Sequence, residues 1–383
     1  MGNQIEIEID KCNSDITWRG VYNRSGVKTG IWEIYWKYGE KNNKIAGGEY
    51  DKQGNKIGKW IEQSDRFRYG NQSTSEGKYN KQGVRVGMWD IYLKNDGKNN
   101  KIGGWEYDEQ GRKIGKWIEQ SNEFQSVNQT TWIGEYNNKG VKIGIWDIYY
   151  NNKGNNNKIG GGRYDEHGNK IGLWIEQNDG FWTDNQSTYT GEYNLWGVKD
   201  GKWEIFWRYD GKTGGGEFQE GCKFGKWVEQ SLTFENLNQS TWNGEYNNQG
   251  KKIGLWEIYY QYWDQMKQKI GGGEYNSDGV KIGEWIEQSD KFKYGNQSTW
   301  RGQYDQQGVK VGTWEIYFRE LGDEKPNIKI GGGEYDEQGR KIGKWVEQKD
   351  GFYYSNSMNN KYILIGEYKD GVKQGQWKDN KLK

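Results

Sequence analysis

The chain of 383 residues has few aliphatic side chains, few sulfur and imidazole ligands and no long apolar run. Only 32% of its residues are hydrophobic, so a thick two-layer aliphatic core is not expected. The two cysteines, Cys12 and Cys222, stand at unrelated places. They make neither a disulfide framework nor a metal motif, and they fit a reducing compartment. The single histidine, His167, leaves a zinc site without enough ligands and a catalytic triad with one possible base. No charge sign dominates: 55 Lys plus Arg oppose 54 Asp plus Glu, a net charge of +1. The signs alternate, as in Asp108-Glu109-Gln110-Gly111-Arg112-Lys113. That argues against a nucleic-acid partner, which needs a basic stripe, and leaves little to hold a membrane surface. No stretch approaches the length of an apolar transmembrane helix. The start, Met-Gly-Asn-Gln-Ile-Glu, lacks the apolar run of a signal peptide. A cytoplasmic location is therefore expected.

Aromatic rings and glycine are abundant: 23 Trp, 28 Tyr and 59 Gly. A chain this polar would otherwise read as disordered. Burying a large aromatic ring contributes about 2–3 kcal/mol, which argues for an ordered fold. The aromatics are periodic. Tryptophan recurs as Trp32, Trp60, Trp89, Trp117, Trp146, Trp174, Trp203, Trp227, Trp256, Trp285, Trp314, Trp345 and Trp377, at steps of 24 to 32 residues. A glycine stands two residues before each, as at Gly30 and Gly58, and another four residues before that, as at Gly26 and Gly54. Upstream lies Gly-x-Tyr, as in Gly20-Val21-Tyr22. Phe218 once takes the Tyr place, and Trp105 once takes the Gly place.

The repeat is thus Gly-x-Tyr-(Asn/Asp)-x-x-Gly-x-Lys-x-Gly-x-Trp. Tyr and Trp suit strands. Asn or Asp, followed by a glycine that accepts positive φ, makes a tight hairpin turn between them. Thirteen hairpins, about 26 strands at about 4.8 Å spacing, would extend roughly 125 Å. Each ring is expected to lie over a glycine of a neighbouring strand, where no Cβ obstructs it. Gly58 and Trp60 are two apart, so they are expected to face the same side of a strand. Valine at Gly58 is therefore expected to displace a facing ring, while Gln53→His should be silent.

Two variants alternate, giving a period near 57 residues. One continues as Trp32-Glu33-Ile34-Tyr35-Trp36, the other as Trp60-Ile61-Glu62-Gln63. Residues 94–101 and 151–158, rich in Asn, Lys and Gly, read as variable surface loops. One such loop carries Pro326, the only proline. The organisation expected is a capping strand over 1–15, a continuous array over 16–368, and a C-terminal cap with a basic tail over 369–383. The fold class is all-β: an elongated, single-layer antiparallel β-hairpin array, able to coil.

This core resembles the MORN repeat, whose pattern is Gly-x-aromatic, two residues, Gly, three residues, Gly, x, Gly. Most units here have a turn one residue longer. Phe218-Gln219-Glu220-Gly221 and Tyr368-Lys369-Asp370-Gly371 match the family spacing. Trp replaces the closing glycine throughout. The chain is also similar to MORN-variant repeats of bacterial antitoxin-like proteins and of large protist families, especially in ciliates. The resemblance covers roughly residues 16–380. It implies a scaffold at cytoskeleton, cilia or membranes, and the few enzyme domains found in the family have no counterpart here.

Chemistry-bearing residues read mostly as structure. His167 occupies a turn position that holds Gln53, Gln110 or Gln338 elsewhere. Glu62, Glu119, Glu176, Glu229, Glu287 and Glu347 recur after each second-type Trp. A glycosidase needs one carboxylate pair in one cleft, so these read as a solvated or salt-bridged row. Gly160-Gly161-Gly162 and Gly271-Gly272-Gly273 lack the Gly-Lys-Ser/Thr and helix of a phosphate loop. Asn71, Asn128, Asn185, Asn238 and Asn296 each begin a formal N-glycosylation sequon, usable only in a secreted chain. No catalytic residue, metal or cofactor is expected.

The most suggestive feature is the series Tyr35, Tyr92, Tyr149, Phe206, Tyr259 and Tyr317, three residues after the Trp. It lies opposite the Trp on its strand. It is either an exposed interaction stripe or packed against loop residues such as Phe67, Phe124 and Phe292. The expected function is a non-enzymatic scaffold that binds protein partners or attaches to the cytoskeleton. A self-assembling filament subunit and a carbohydrate-binding surface repeat protein are the alternatives.

Overall fold

Each repeat begins with a turn written in its own sequence. Asn23 Oδ1 accepts hydrogen bonds from the backbone N–H of Ser25 (2.9 Å) and Val27 (3.1 Å). Gly26 closes the turn at φ 74°, a conformation open to glycine at little steric cost. Asp51 does the same for Gln53 and Asn55. In the computed structural model, the described residues are 5–8, 15–95, 97–121, 124–125, 128–152, 154–262, 266–320, 326–355 and 358–382. Among them every regular element is a β-strand, and no helix is long and apolar enough to cross a membrane.

The first strands are β1 (Ile5–Glu8), β2 (Ile16–Tyr22), β3 (Lys28–Tyr38), β4 (Lys41–Tyr50) and β5 (Lys56–Gln63). Each pairs antiparallel with the next. The four-strand pattern of β2 to β5 then repeats, so the chain is an all-β array of antiparallel hairpins. Contacts divide the chain into two units, residues 1–176 with 195–197, and 177–194 with 198–383. In the first, the pattern recurs from Ser73–Tyr79 onwards. In the second it runs from Ser187–Tyr193 to Val372–Lys381. Of the cap expected over 1–15, Ile5–Glu8 pairs with β2. Residues 1–4 and 9–14, Cys12 included, lie outside the described residues. At the other end, Trp377 packs over Gly366.

Alternation decides the two faces of a strand. Along β3, Trp32, Ile34 and Trp36 are buried, while Ile31, Glu33 and Tyr35 point the other way. The rings lie over glycines as expected. A Cβ on Gly20 would sit 2.3 Å from Trp32 Cδ2, and on Gly48 2.2 Å from Trp60 Cδ2. The same holds for Gly134 under Trp146 and Gly302 under Trp314.

One expectation fails. Gly58 is under no ring: the space where its Cβ would stand is open, and its φ is 68°. The ladder pairs Gly47 with Ile61 and Glu49 with Ile57, so Gly58, Lys59 and Trp60 all oppose Gly48. This is a β-bulge entered through a left-handed glycine, which bends the strand and re-aims the next side chain. The bulge folds Trp60 back over Gly48. The even alternation behind the Gly58 expectation is broken there.

The stretches 94–101 and 151–158 are not surface loops. The ladder runs through them, pairing Asn95 with Lys98 and Asn152 with Asn155. The real loops follow the second-type Trp, and within each unit they stack. In the first, Asn71 Nδ2 donates to Phe124 O at 2.9 Å. In the second, Tyr294 N donates to Leu237 O at 2.8 Å. The strands of each unit therefore curl enough to bring loops one period apart into contact. Loop phenylalanines close the ends of the ring face: Phe67 meets Trp36 edge-on at 5.5 Å, and Phe292 meets Tyr260 at 5.0 Å.

Candidate interaction surface

The ring face is sealed. From Trp32 to Trp345 the twelve repeat tryptophans are 0–1% exposed. Within each unit such an indole stands between aromatic rings of the flanking hairpins, as Trp285 does between Tyr275 (5.0 Å) and Tyr304 (6.2 Å), both edge-on. The repeat lysine caps the indole, with Lys252 Nζ 3.9 Å from the Trp256 centroid and Lys310 3.9 Å from that of Trp314. Cation–π attraction of this kind strengthens when water is excluded. Trp345 thus belongs to the core and is no platform for a sugar, and the same holds for the other buried repeat indoles.

The glutamate row is salt-bridged, not solvated. Glu287 accepts from Lys281, from Lys310 at 2.8 Å and from the Tyr304 hydroxyl at 2.9 Å. Its side chain is 14% exposed. Burial alone would raise its pKa; Lys281 and Lys310 outweigh that and hold the carboxyl below the usual carboxylate range. Burial, then Glu287, pushes the Tyr304 phenol upwards. Glu62, Glu119, Glu229 and Glu347 are held alike. Glu287→Ala leaves two ammonium groups without their counter-charge, and a loss of about 3–5 kcal/mol is expected in urea unfolding. Acid acts on the same groups. A lowered folded pKa makes the contribution complete above the unfolded value, about 4.3, and lost as pH falls through the folded one.

The opposite face carries the tyrosine series. Tyr35, Tyr92, Tyr149, Phe206, Tyr259 and Tyr317 are all half-buried. The loop phenylalanines do not cover them; Phe67, Phe234, Phe292 and Phe352 pack on the residue that follows, namely Trp36, Trp207, Tyr260 and Phe318. The reason is the period of two: Trp36 shares the face of Trp32, and Tyr35 does not. Each acid two residues before the aromatic takes a lysine from the next strand. The pairs include Glu33–Lys44 (2.5 Å), Asp90–Lys101 (2.7 Å), Asp147–Lys158 (2.7 Å), Glu204–Lys212 (2.7 Å), Glu257–Lys269 (2.7 Å) and Glu315–Lys329 (2.6 Å). The tyrosine hydroxyl donates to that acid at Tyr35 (2.8 Å), Tyr259 (3.0 Å) and Tyr317 (2.8 Å).

The sequence reading missed what stands two residues before the acid. Ile31, Met88, Ile145 and Leu255 are 61–71% exposed on this face. Ile31-x-Glu33-x-Tyr35 is thus an apolar, acidic, aromatic triplet along one strand, repeated as Met88-x-Asp90-x-Tyr92, Ile145-x-Asp147-x-Tyr149 and Leu255-x-Glu257-x-Tyr259. The signal was the residue before each first-type Trp, polar only at Lys202 and Thr313.

The sequon asparagines are not surface sites. Asn71, Asn128, Asn185, Asn238 and Asn296 are 1–4% exposed. Asn71 Oδ1 accepts from Ser73 Oγ at 2.6 Å, and Asn185 and Asn296 do the same for Ser187 and Ser298. A glycan has no access to these amides in the folded chain. His167 lies exposed in its turn, and Cys222 is an exposed thiol. Among the described residues no group of three His, Cys, Asp or Glu side chains is placed to hold a metal ion. The triple glycines meet packing needs: Gly160 faces Ile175 O, Gly161 faces Trp146 O and Gly162 lies under Trp174.

The sequence matches no protein-family model and no curated protein.

Proposed function

We propose that the protein is a non-catalytic scaffold that binds protein partners through its outer strand face. One observation carries this reading: the apolar, acidic and tyrosine side chains stand at the same places on the first-type strand of successive periods. Repetition of a weak site on a rigid support raises overall affinity through effective concentration. Tyrosine offers a large amphipathic contact area of the kind enriched in interface hot spots. The likeness of the hairpin to the MORN repeat supports the same reading, with a cytoskeletal partner as the class it suggests.

The test is affinity capture with mass spectrometry, comparing the natural chain with the triple variant Tyr35→Ser, Tyr92→Ser, Tyr149→Ser. The expected result is loss of specific partners from the variant with an unchanged β-sheet circular-dichroism spectrum. Retention of every partner by a folded triple variant would refute the assignment of this face.

A further inference from the structure

We infer that the chain self-associates by seating the hairpin turn Leu195-Trp196 of one copy in a groove across the stacked loops of another. Two departures from the repeat point to this, and both are apolar. Equivalent turn tips carry polar pairs: Lys52-Gln53, Lys81-Gln82, Glu109-Gln110, Gln306-Gln307. Here the tip is Leu-Trp, with each residue 79% exposed. The turn is firmly built, with Asn194 N donating to Val198 O at 2.9 Å and Val198 N to Asn194 Oδ1 at 3.1 Å. An indole so displayed is a preformed anchor, and tryptophan is the residue most enriched where binding energy concentrates.

The second departure lies in the loop 231–239 of the second unit. Leu232 and Leu237 stand where the equivalent loop 289–297 has Asp290 and Gly295. Leu232 is fully exposed and Leu237 is 38% exposed. They border a groove of about 880 Å³, also lined by Phe234 and Phe292. The groove contains Glu235, whose carboxylate makes no hydrogen bond or ion pair among the described residues. Burial, with Asp184 nearby, raises its pKa. A half-buried acceptor beside an apolar floor suits an indole, which has one N–H donor on a large apolar body.

Among the charges of the groove, Glu235 and Asp290 against Lys291 and Lys293, one lysine can meet an acid beside the knob. A Cβ on Gly197 would lie 3.0 Å from Asn169, so the Leu-Trp tip adjoins the turn carrying Glu166. Lys293 lines the groove, its ammonium over the Tyr353 ring. Knob and groove are different surfaces, so the contact is head-to-tail and leaves a free knob and a free groove on every growing chain. One turn buries only a few hundred Å², well below the roughly 1,200 Å² of a stable complex, so assembly in the high-micromolar range is expected.

Sedimentation of the full chain over a concentration series tests this. The average mass of the natural chain is expected to rise with concentration from the 44.9 kDa monomer. Trp196→Gln and Leu237→Asp should each weaken association at least tenfold. Mixed in equal amounts they should form pairs and stop there, because each supplies the half the other lacks. Leu232→Asp, at a fully exposed position, serves in place of Leu237→Asp if that variant loses its β-sheet spectrum. A natural chain of constant mass, a Trp196→Gln variant that associates like the natural chain, or a mixture of folded variants that stays monomeric would each overturn the proposal.

Discussion

Gly273→Val is expected to cost about 3–5 kcal/mol, as much as removing a buried tryptophan. A Cβ at Gly273 would stand 2.2 Å from Trp285 Cδ2 and 2.4 Å from Cε2, well inside van der Waals contact. The ring has nowhere to retreat: Tyr275 and Tyr304 flank it, and Lys281 lies over it at 4.5 Å. It must leave its slot or force the strands apart. In an array of nearest-neighbour contacts, either response also weakens the adjoining hairpins. Gly283→Ala is the matched control. Its Cβ would meet open space, and only the left-handed φ of 66° is violated, which costs about 1–2 kcal/mol. Urea unfolding followed by far-ultraviolet circular dichroism checks both. Equal losses at the two positions would mean that backbone conformation, not ring packing, explains the glycines.

The second large effect concerns a place where the repeat rule is broken. Trp105 stands where Gly48 and Gly162 stand in neighbouring periods, so Trp117 has no glycine beneath it. Instead the two indoles stack at 5.0 Å and 10°. Trp117 Nε1 donates to Ile114 O at 2.9 Å, whereas Trp174 donates to Arg163 O of the preceding strand. The origin of the extra space lies three strands back, within the same period. Trp132 approaches Trp174, Trp242 approaches Trp285 and Trp300 approaches Trp345, at 6.4–6.5 Å. The position that would serve Trp117 in this way is Ser75. Trp105 is therefore expected to occupy the volume that a tryptophan at position 75 would take. Trp105→Gly alone is expected to cost about 3–5 kcal/mol by opening a cavity, and Ser75→Trp alone about 1–3 kcal/mol by overpacking. The double variant restores the general pattern, so the two changes should couple by about 2 kcal/mol in the favourable direction. A four-protein urea cycle measures this, and simple additivity would contradict the compensation.

Much of this was legible in the residues, because the hairpin is local physics. Asn23, Gly26, Tyr22 and Trp32 specify a turn and two strands within eleven residues. The ring-over-glycine contact followed from the scarcity of aliphatic side chains. What the sequence hid was which glycine does what. Gly48 and Gly58 look alike as letters, yet one underlies Trp60 and the other opens a bulge. A period-of-two argument holds only on an even strand. The partner of Phe67 was hidden for another reason: the residues do not say which face the loops close, and they close the face of Trp36, not that of Tyr35. The burial of Asn71 could not be read from its neighbours, because the acceptor of its amide, Phe124 O, lies a full period away. The outer triplet needed two facts together: the face of each strand, and the exposure of residues such as Ile31 that a composition count places in the core.

The fold rests on indoles folded into the hollow above a glycine, with their N–H groups bound to the carbonyl of the preceding strand. Such bonds join Trp60 to Glu49, Trp146 to Glu135, Trp256 to Glu245 and Trp314 to Gln303 at 3.1–3.2 Å. Hydrogen exchange of the indole protons in tryptophan-labelled protein, followed by nuclear magnetic resonance, reads them directly. Slow exchange at these four, against fast exchange at the exposed Trp196, is the predicted outcome. Exchange of all five at the rate of Trp196 would contradict it.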